Sequence, residues 1–207
     1  MKGAGMSGAT SAAQRRKRMP RAQRERQMVE VAEEIFAERG FLATSMDDVA
    51  ERVGVSKPMI YEYFGSKEGL LVACIRAARA ELLSVTMNSV EGVKSAEEAL
   101  RRGLTAFFEF TDSHRRSWKL LQAEAAVAGP GAVAEIEAVR QQQTAVNTAL
   151  FGSFLPDVPH NELEAYAEIV VGACERLSLW YVQRDDVSAA AAAEMVMRLV
   201  WFGLRPH

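Results

Sequence analysis

Only two cysteines occur in the 207 residues, Cys74 and Cys174, with no CxxC pair and no histidine beside either. That spacing excludes a disulfide scaffold and a zinc ribbon, and both thiols read as small buried hydrophobes of a reduced, cytoplasmic protein. Histidine is as scarce. His114, His160 and His207 lie far apart, and none falls in an HExxH or comparable ligand spacing. A Gly-rich phosphate loop and a GxSxG elbow are missing as well. The chain therefore offers no enzyme chemistry and calls for no cofactor or metal. No apolar run reaches about 18 residues, so no membrane span is expected. The first 20 residues lack the continuous apolar core of a secretory signal and end in a basic cluster. Alternating strand patterns and internal repeats are absent too, which leaves an all-α fold.

What is present is apolar content ample for a core, 49% of residues, in a chain long enough for one small and one larger domain. The net charge of −2 hides an asymmetry: residues 1–67 hold 12 Lys and Arg against 9 Asp and Glu, leaving the other 140 residues at −5. Arg15, Arg16, Lys17, Arg18, Arg21, Arg24 and Arg26 concentrate the basic charge behind a Gly, Ser and Ala lead. Residues 1–22 read as a disordered basic arm. Two uses fit it, a solubilising tail or an arm that follows DNA phosphates or enters the minor groove.

The stretch from Thr44 to Leu71 carries the most information. Ser45 suits a helix N-cap, Asp48 completes a capping box, and Met46, Val49, Ala50 and Val53 recur at helical spacing. Gly54 ends that helix. Ser56 suits the next cap, Pro58 falls in the first turn where a missing N–H costs little, and Ile60 with Phe64 forms an inward stripe. Two short helices joined through a glycine-containing turn make a helix-turn-helix, whose second helix enters the DNA major groove. Its outer face holds Lys57, Pro58, Met59, Tyr61, Glu62 and Tyr63. Lys57 and Lys67 suit phosphates, Tyr61 and Tyr63 can donate to phosphate oxygens, and Pro58 and Met59 can touch thymine methyls. Asp47 puts negative charge near the same surface, a favourable partner for a helix N-terminus.

At these residues the chain resembles the tetracycline-repressor (TetR) family of bacterial transcriptional regulators. The resemblance runs over about residues 24–72. It begins at Phe36, Ala37, Glu38, Arg39, Gly40 and Phe41, and continues through Thr44, Ser45, Val49, Ala50, Gly54, Val55, Ser56 and Lys57. It closes on Ile60, Tyr61, Tyr63, Phe64, Ser66, Lys67, Glu68 and Leu70. It implies that Ser45, Lys57, Pro58, Met59, Tyr61, Tyr63 and Lys67 lie where family members touch double-stranded DNA. It also implies dimerisation through the last two long helices and control by repression.

The rest of the chain reads as helices separated by breaks. A first helix over 22–39 supplies a surface for Ile60 and Phe64, and a fourth, capped by Ser66, runs from Lys67 into the eighties. Further helices are expected over 96–114, 115–127, 132–151, 162–183 and 187–204, with breaks at 91–95, 128–131 and 152–159. The division expected is a helix-turn-helix domain over 23–70 and a ligand-binding and dimerisation domain over 71–207. Met87, Phe107, Phe108, Phe110, Trp118 and Leu121 could line an apolar pocket for a small-molecule inducer, or form plain core. Gln141, Gln142, Gln143 and Asn147 could orient that ligand or simply face solvent. The last two helices are too apolar for a monomer's surface, and Leu177, Trp180, Met197 and Trp201 are the expected homodimer contacts. A two-fold dimer in turn predicts a palindromic operator. A helical protein that binds small molecules without DNA is the rival reading, and it leaves Lys57, Tyr61, Tyr63 and the basic run without a task.

Overall fold

Serine caps and positive-φ glycines stand at several of the helix ends. The computed structural model of the chain describes residues 19–115, Trp118 and 129–204, of which 132, 135, 139 and 202–204 are described as backbone alone. The helices are α1 (Arg21–Arg39), α2 (Met46–Val53), α3 (Lys57–Phe64), α4 (Lys67–Ser89), α5 (Ala96–Ser113), α6 (Pro130–Phe154), α7 (His160–Tyr181) and α8 (Ala189–Leu204). Among the described residues every regular element is a helix, as the periodicity predicts.

Ser45, Ser66 and Ser95 each accept a hydrogen bond from the backbone N–H three residues on, capping α2, α4 and α5. Each cap satisfies one of the donors that a helix start leaves unpaired. Ser56 differs from expectation, for its hydroxyl makes no cap bond; the entry to α3 rests on the Ser56 carbonyl, which accepts from the N–H of Met59. Gly54 takes φ 77°, and its N–H reaches back to Ala50 and Glu51, a conformation that a side chain would strain. Helix α1 begins at Arg21, within the stretch 1–22 expected as an arm, and contains Arg21, Arg24 and Arg26. Residues 1–18 and nearly all of the helix expected over 115–127 lie outside the described residues.

Two apolar cores form. Met28, Ile35 and Phe36 of α1, Val49 of α2, Ile60 of α3, and Leu70, Leu71, Cys74, Ile75 and Ala78 of α4 build the first. Leu82 of α4, Leu104, Phe107 and Phe108 of α5, Val170 and Tyr181 of α7, and Val196 and Met197 of α8 belong to the second. The expected domain cut at residue 70 therefore falls inside one continuous helix, whose first half is part of the head's core. At 23 residues, α4 is ~34 Å long. It also packs against α1, α3, α5 and α6. Any tilt of α4 relative to the second core is thus carried straight to α3.

Candidate nucleic-acid interface and apolar cavity

The start of α2 is held by a reciprocal cap. The N–H of Asp48 donates to Ser45 Oγ at 3.1 Å, while the Ser45 N–H donates to Asp48 Oδ2 at 2.8 Å. The Ser45 hydroxyl donates to the same carboxylate oxygen, and Arg39 Nη1 reaches Oδ1 at 3.1 Å. These bonds, the Ser45 hydroxyl foremost and then its backbone N–H and Arg39, hold the Asp48 carboxyl below the usual carboxylate range. Arg52 grips Glu38 with both terminal nitrogens, at 2.9 and 3.0 Å, and ties α2 to α1. The consequence is a fixed platform for α3.

On that platform Ile60 is fully buried, and Lys57, Pro58, Met59, Tyr61 and Glu62 face outward. Met59 is 37% exposed and Tyr61 41%, unusual for apolar and aromatic side chains that have core available nearby. Lys57 Nζ lies 2.7 Å from Asp47 Oδ2, and this hydrogen bond, with its attraction, raises the Lys57 pKa. The pair joins the N-termini of α2 and α3. Tyr63 is only half-buried against the head core, with the Arg21 guanidinium 4.8 Å from its ring centroid.

Lys67, expected as a phosphate ligand, is held against the turn before α2. Its ammonium donates to the carbonyls of Phe41 and Thr44, each at 3.0 Å, and sits 4.4 Å from the Phe41 ring centroid. Two of its three donors thus clamp the turn between α1 and α2 onto the start of α4. Leu42 in that turn is 73% exposed. Sequence reasoning passed over it, since a lone exposed leucine has no periodic signal.

Between α4, α5, α6 and α7 lies an apolar chamber of about 90 Å³. Of the expected lining residues, Met87, Phe107 and Trp118 border it, and so do Gln143 and Asn147. Phe108 and Phe110 do not. Phe108 is fully buried against Phe107 and Tyr181, and Phe110 packs on Trp118 and His114, so both are core. Leu121 lies outside the described residues. Leu83, Leu104, Val146, Phe151 and Cys174 also line the chamber; which face of a buried helix meets a gap depends on its neighbours, and no motif marks it. Trp118 is fixed there by its indole N–H, which donates to Ser178 Oγ at 2.9 Å. Burial raises the pKa of both thiols, that of Cys174 to about 12, and keeps them neutral.

The expected dimer contacts divide. Trp180 is 39% exposed and Leu177 half-buried, whereas Met197 is only 2% exposed within its own subunit's core, and Trp201 packs there and borders the chamber. Met197 thus faces the core of its own chain. The apolar side chains left outward are Ile169 of α7 and Met195 and Leu199 of α8, at 60, 40 and 81% exposure.

Comparison with known proteins rests on both halves. Residues 28–74 match the bacterial regulatory proteins of the tetR family, and residues 96–203, more than half of the chain, match the tetracyclin repressor-like C-terminal domain. The chain belongs to the TetR family of transcriptional regulators. This TetR-family chain is 28% identical over 193 residues to the HTH-type transcriptional activator FasR of Mycolicibacterium smegmatis, covering 90% of this chain and 85% of FasR. A solved TetR-like regulator from Rhodococcus sp. RHA1 is 34% identical, with a TM-score of 0.67 over 90% of this chain and 98% of that one. FadR of Bacillus subtilis, solved in complex with stearoyl-CoA, has a TM-score of 0.75 at 16% identity, over 87% of this chain and 99% of FadR, a likeness of fold alone. All three are regulators. Among the described residues no group of His, Cys, Asp and Glu could hold a metal, and no helix is long and apolar enough to cross a membrane.

Proposed function

We propose that this TetR-family regulator acts in the cytoplasm as a homodimeric repressor that binds a palindromic operator and is released by a small, largely apolar ligand. The observation that carries the reading is the outward face of α3, where Lys57, Pro58, Met59 and Tyr61 are exposed while Ile60 anchors the helix from behind. Lys57 neutralises a phosphate, Tyr61 donates to the backbone, and Pro58 and Met59 meet base edges. Ser45 and Tyr63 flank that face, and Lys67 acts from behind by holding the turn.

Dimerisation is supported by Ile169 and Trp180 on α7 and Met195 and Leu199 on α8, large apolar side chains turned to solvent in one subunit. A two-fold axis across them buries the same patch from both sides. Ligand binding is supported by the chamber beside α4. At about 90 Å³ it is smaller than the ~150 Å³ that takes benzene, so a larger ligand must part the helices to enter. That parting gives the ligand unequal affinity for two states, the requirement for any shift between them.

Activation is the second reading, favoured by the name that FasR carries over a match of nearly its whole length. The test is to retain fragments of the source genome on the protein at controlled salt and sequence them. Discrete fragments containing an inverted repeat support the proposal, and retention without sequence preference overturns it. Placing one such fragment ahead of a reporter gene decides between repression and activation.

A further inference from the structure

Arg79 is a charged side chain only 7% exposed, and it stands on α4 between Ala78 of the first core and Leu82 of the second. A buried guanidinium is tolerated where a counter-charge sits beside it. Here Arg79 Nη1 donates to Glu175 Oε1 of α7 at 3.2 Å. Glu175 borders the apolar chamber. Arg79 borders a second chamber of about 290 Å³ together with Leu83, Ser84, Met87 and Gln142. The two chambers share Leu83, Met87 and Gln143. The ion pair thus marks the junction between the two chambers.

We propose that the ligand is amphipathic, an apolar chain ending in a carboxylate or phosphate group, and that this anion takes Arg79 in exchange for Glu175. The proposal deepens the ligand-responsive reading above and rests on it. The tail occupies the chamber lined by Leu104, Val146 and Phe151, and the head lies beside Arg79 and Gln142. A guanidinium suits such a head, because its planar fork matches carboxylate and phosphate oxygens. A second cation, Arg140, also attracts Glu175. Arg140 of α6 is bonded to Glu137 at 3.0 Å and Glu168 at 3.2 Å, and its pKa is raised first by Glu137, with the attraction of Glu168 and Glu175 added. The exchange moves Glu175 from α4 toward α6 and releases the lever from α7 at its midpoint.

The test is calorimetric titration of the full chain with three probes sharing a ten-carbon tail: decanoate, decyl phosphate and 1-decanol, each below its aggregation limit. The expected result is that at least one anion binds ten-fold or more tighter than decanol, and the order of the two anions identifies the head. Arg79→Gln should erase that preference and leave decanol binding unchanged. Glu175→Gln should tighten anion binding several-fold, because the competing carboxylate is gone, whereas a purely structural pair would make the same change neutral or harmful. Equal binding of decanol and both anions overturns the proposal while the apolar ligand site stands. So does an anion preference that survives Arg79→Gln, or anion binding that Glu175→Gln fails to tighten. Binding of none of the three removes the ligand site itself. If Arg79→Gln does not fold, the wild-type comparison and Glu175→Gln still decide.

Discussion

Lys57 and Lys67 look alike in the sequence and differ in the fold. Lys57 stands at the surface with one exposed partner, Asp47, and exposed pairs of this kind contribute little to stability. Lys57→Ala should therefore leave the melting temperature almost unchanged, weaken DNA binding and flatten its salt dependence by about one unit of slope per subunit. Lys67→Ala should instead strip two carbonyls of a donor and cost roughly 1–2 kcal/mol of stability by chemical denaturation. Loss of stability in the first variant, or none in the second, would reverse the assignments. Asp48 gives a prediction in pH. Its folded-state pKa is lowered, so it stabilises the fold above its unfolded value of about 3.9 and loses that contribution as pH falls through the folded value. Asp48→Asn should be less stable than wild type at pH 7, and the gap should close as pH falls below the unfolded-state value. A gap constant with pH would remove the capping carboxylate from the account.

At the scale of elements, local rules were readable and distant pairings were not. Ser45 with Asp48, Gly54 and Ser66 were legible because a cap is decided within three or four residues of chain. The bonds from Lys67 to Phe41 and Thr44 span 26 and 23 residues, and no periodicity announces them. For the same reason the aromatic stripe of α5 was visible while the division between lining Phe107 and core Phe108 was not. The apolar excess of α7 and α8 was legible too, yet the residues carrying it were only partly so: Met197 went inward, and Ile169 and Leu199 stayed out. Two substitutions separate these parts. Trp180→Glu with Leu199→Glu should give a folded monomer by light scattering at micromolar concentration, whereas Met197→Ala should remain a dimer and lose about 2–5 kcal/mol of stability. A double variant that stays dimeric would place the interface elsewhere.

For the whole molecule the question is how a chamber beside the middle of α4 affects a face on α3. Tilting a helix of ~34 Å by about 10° moves its far end roughly 6 Å, about one helical turn. In the homodimer proposed above, two reading heads that must fit grooves ~34 Å apart cannot absorb such a shift. Coupling of ~1–3 kcal/mol is typical of such switches and reciprocal by necessity, so a ligand that lowers operator affinity must itself bind the operator complex more weakly by the same factor. Titration of decyl phosphate with and without operator should give that equality. Equal ligand affinities in both titrations would exclude that compound as the effector.

Beneath the switch lies the claim that α3 reads DNA. Its direct test is the affinity of the protein for a fragment recovered from the source genome, measured at physiological salt for wild type and for Lys57→Ala, Met59→Ala and Tyr61→Ala combined. These side chains are outward, so the variant's circular dichroism and melting temperature should match wild type. Its affinity should fall to the level of non-specific DNA, with ~1–3 kcal/mol lost for each good base contact removed. A well-folded variant that still bound the fragment as wild type does would contradict the account.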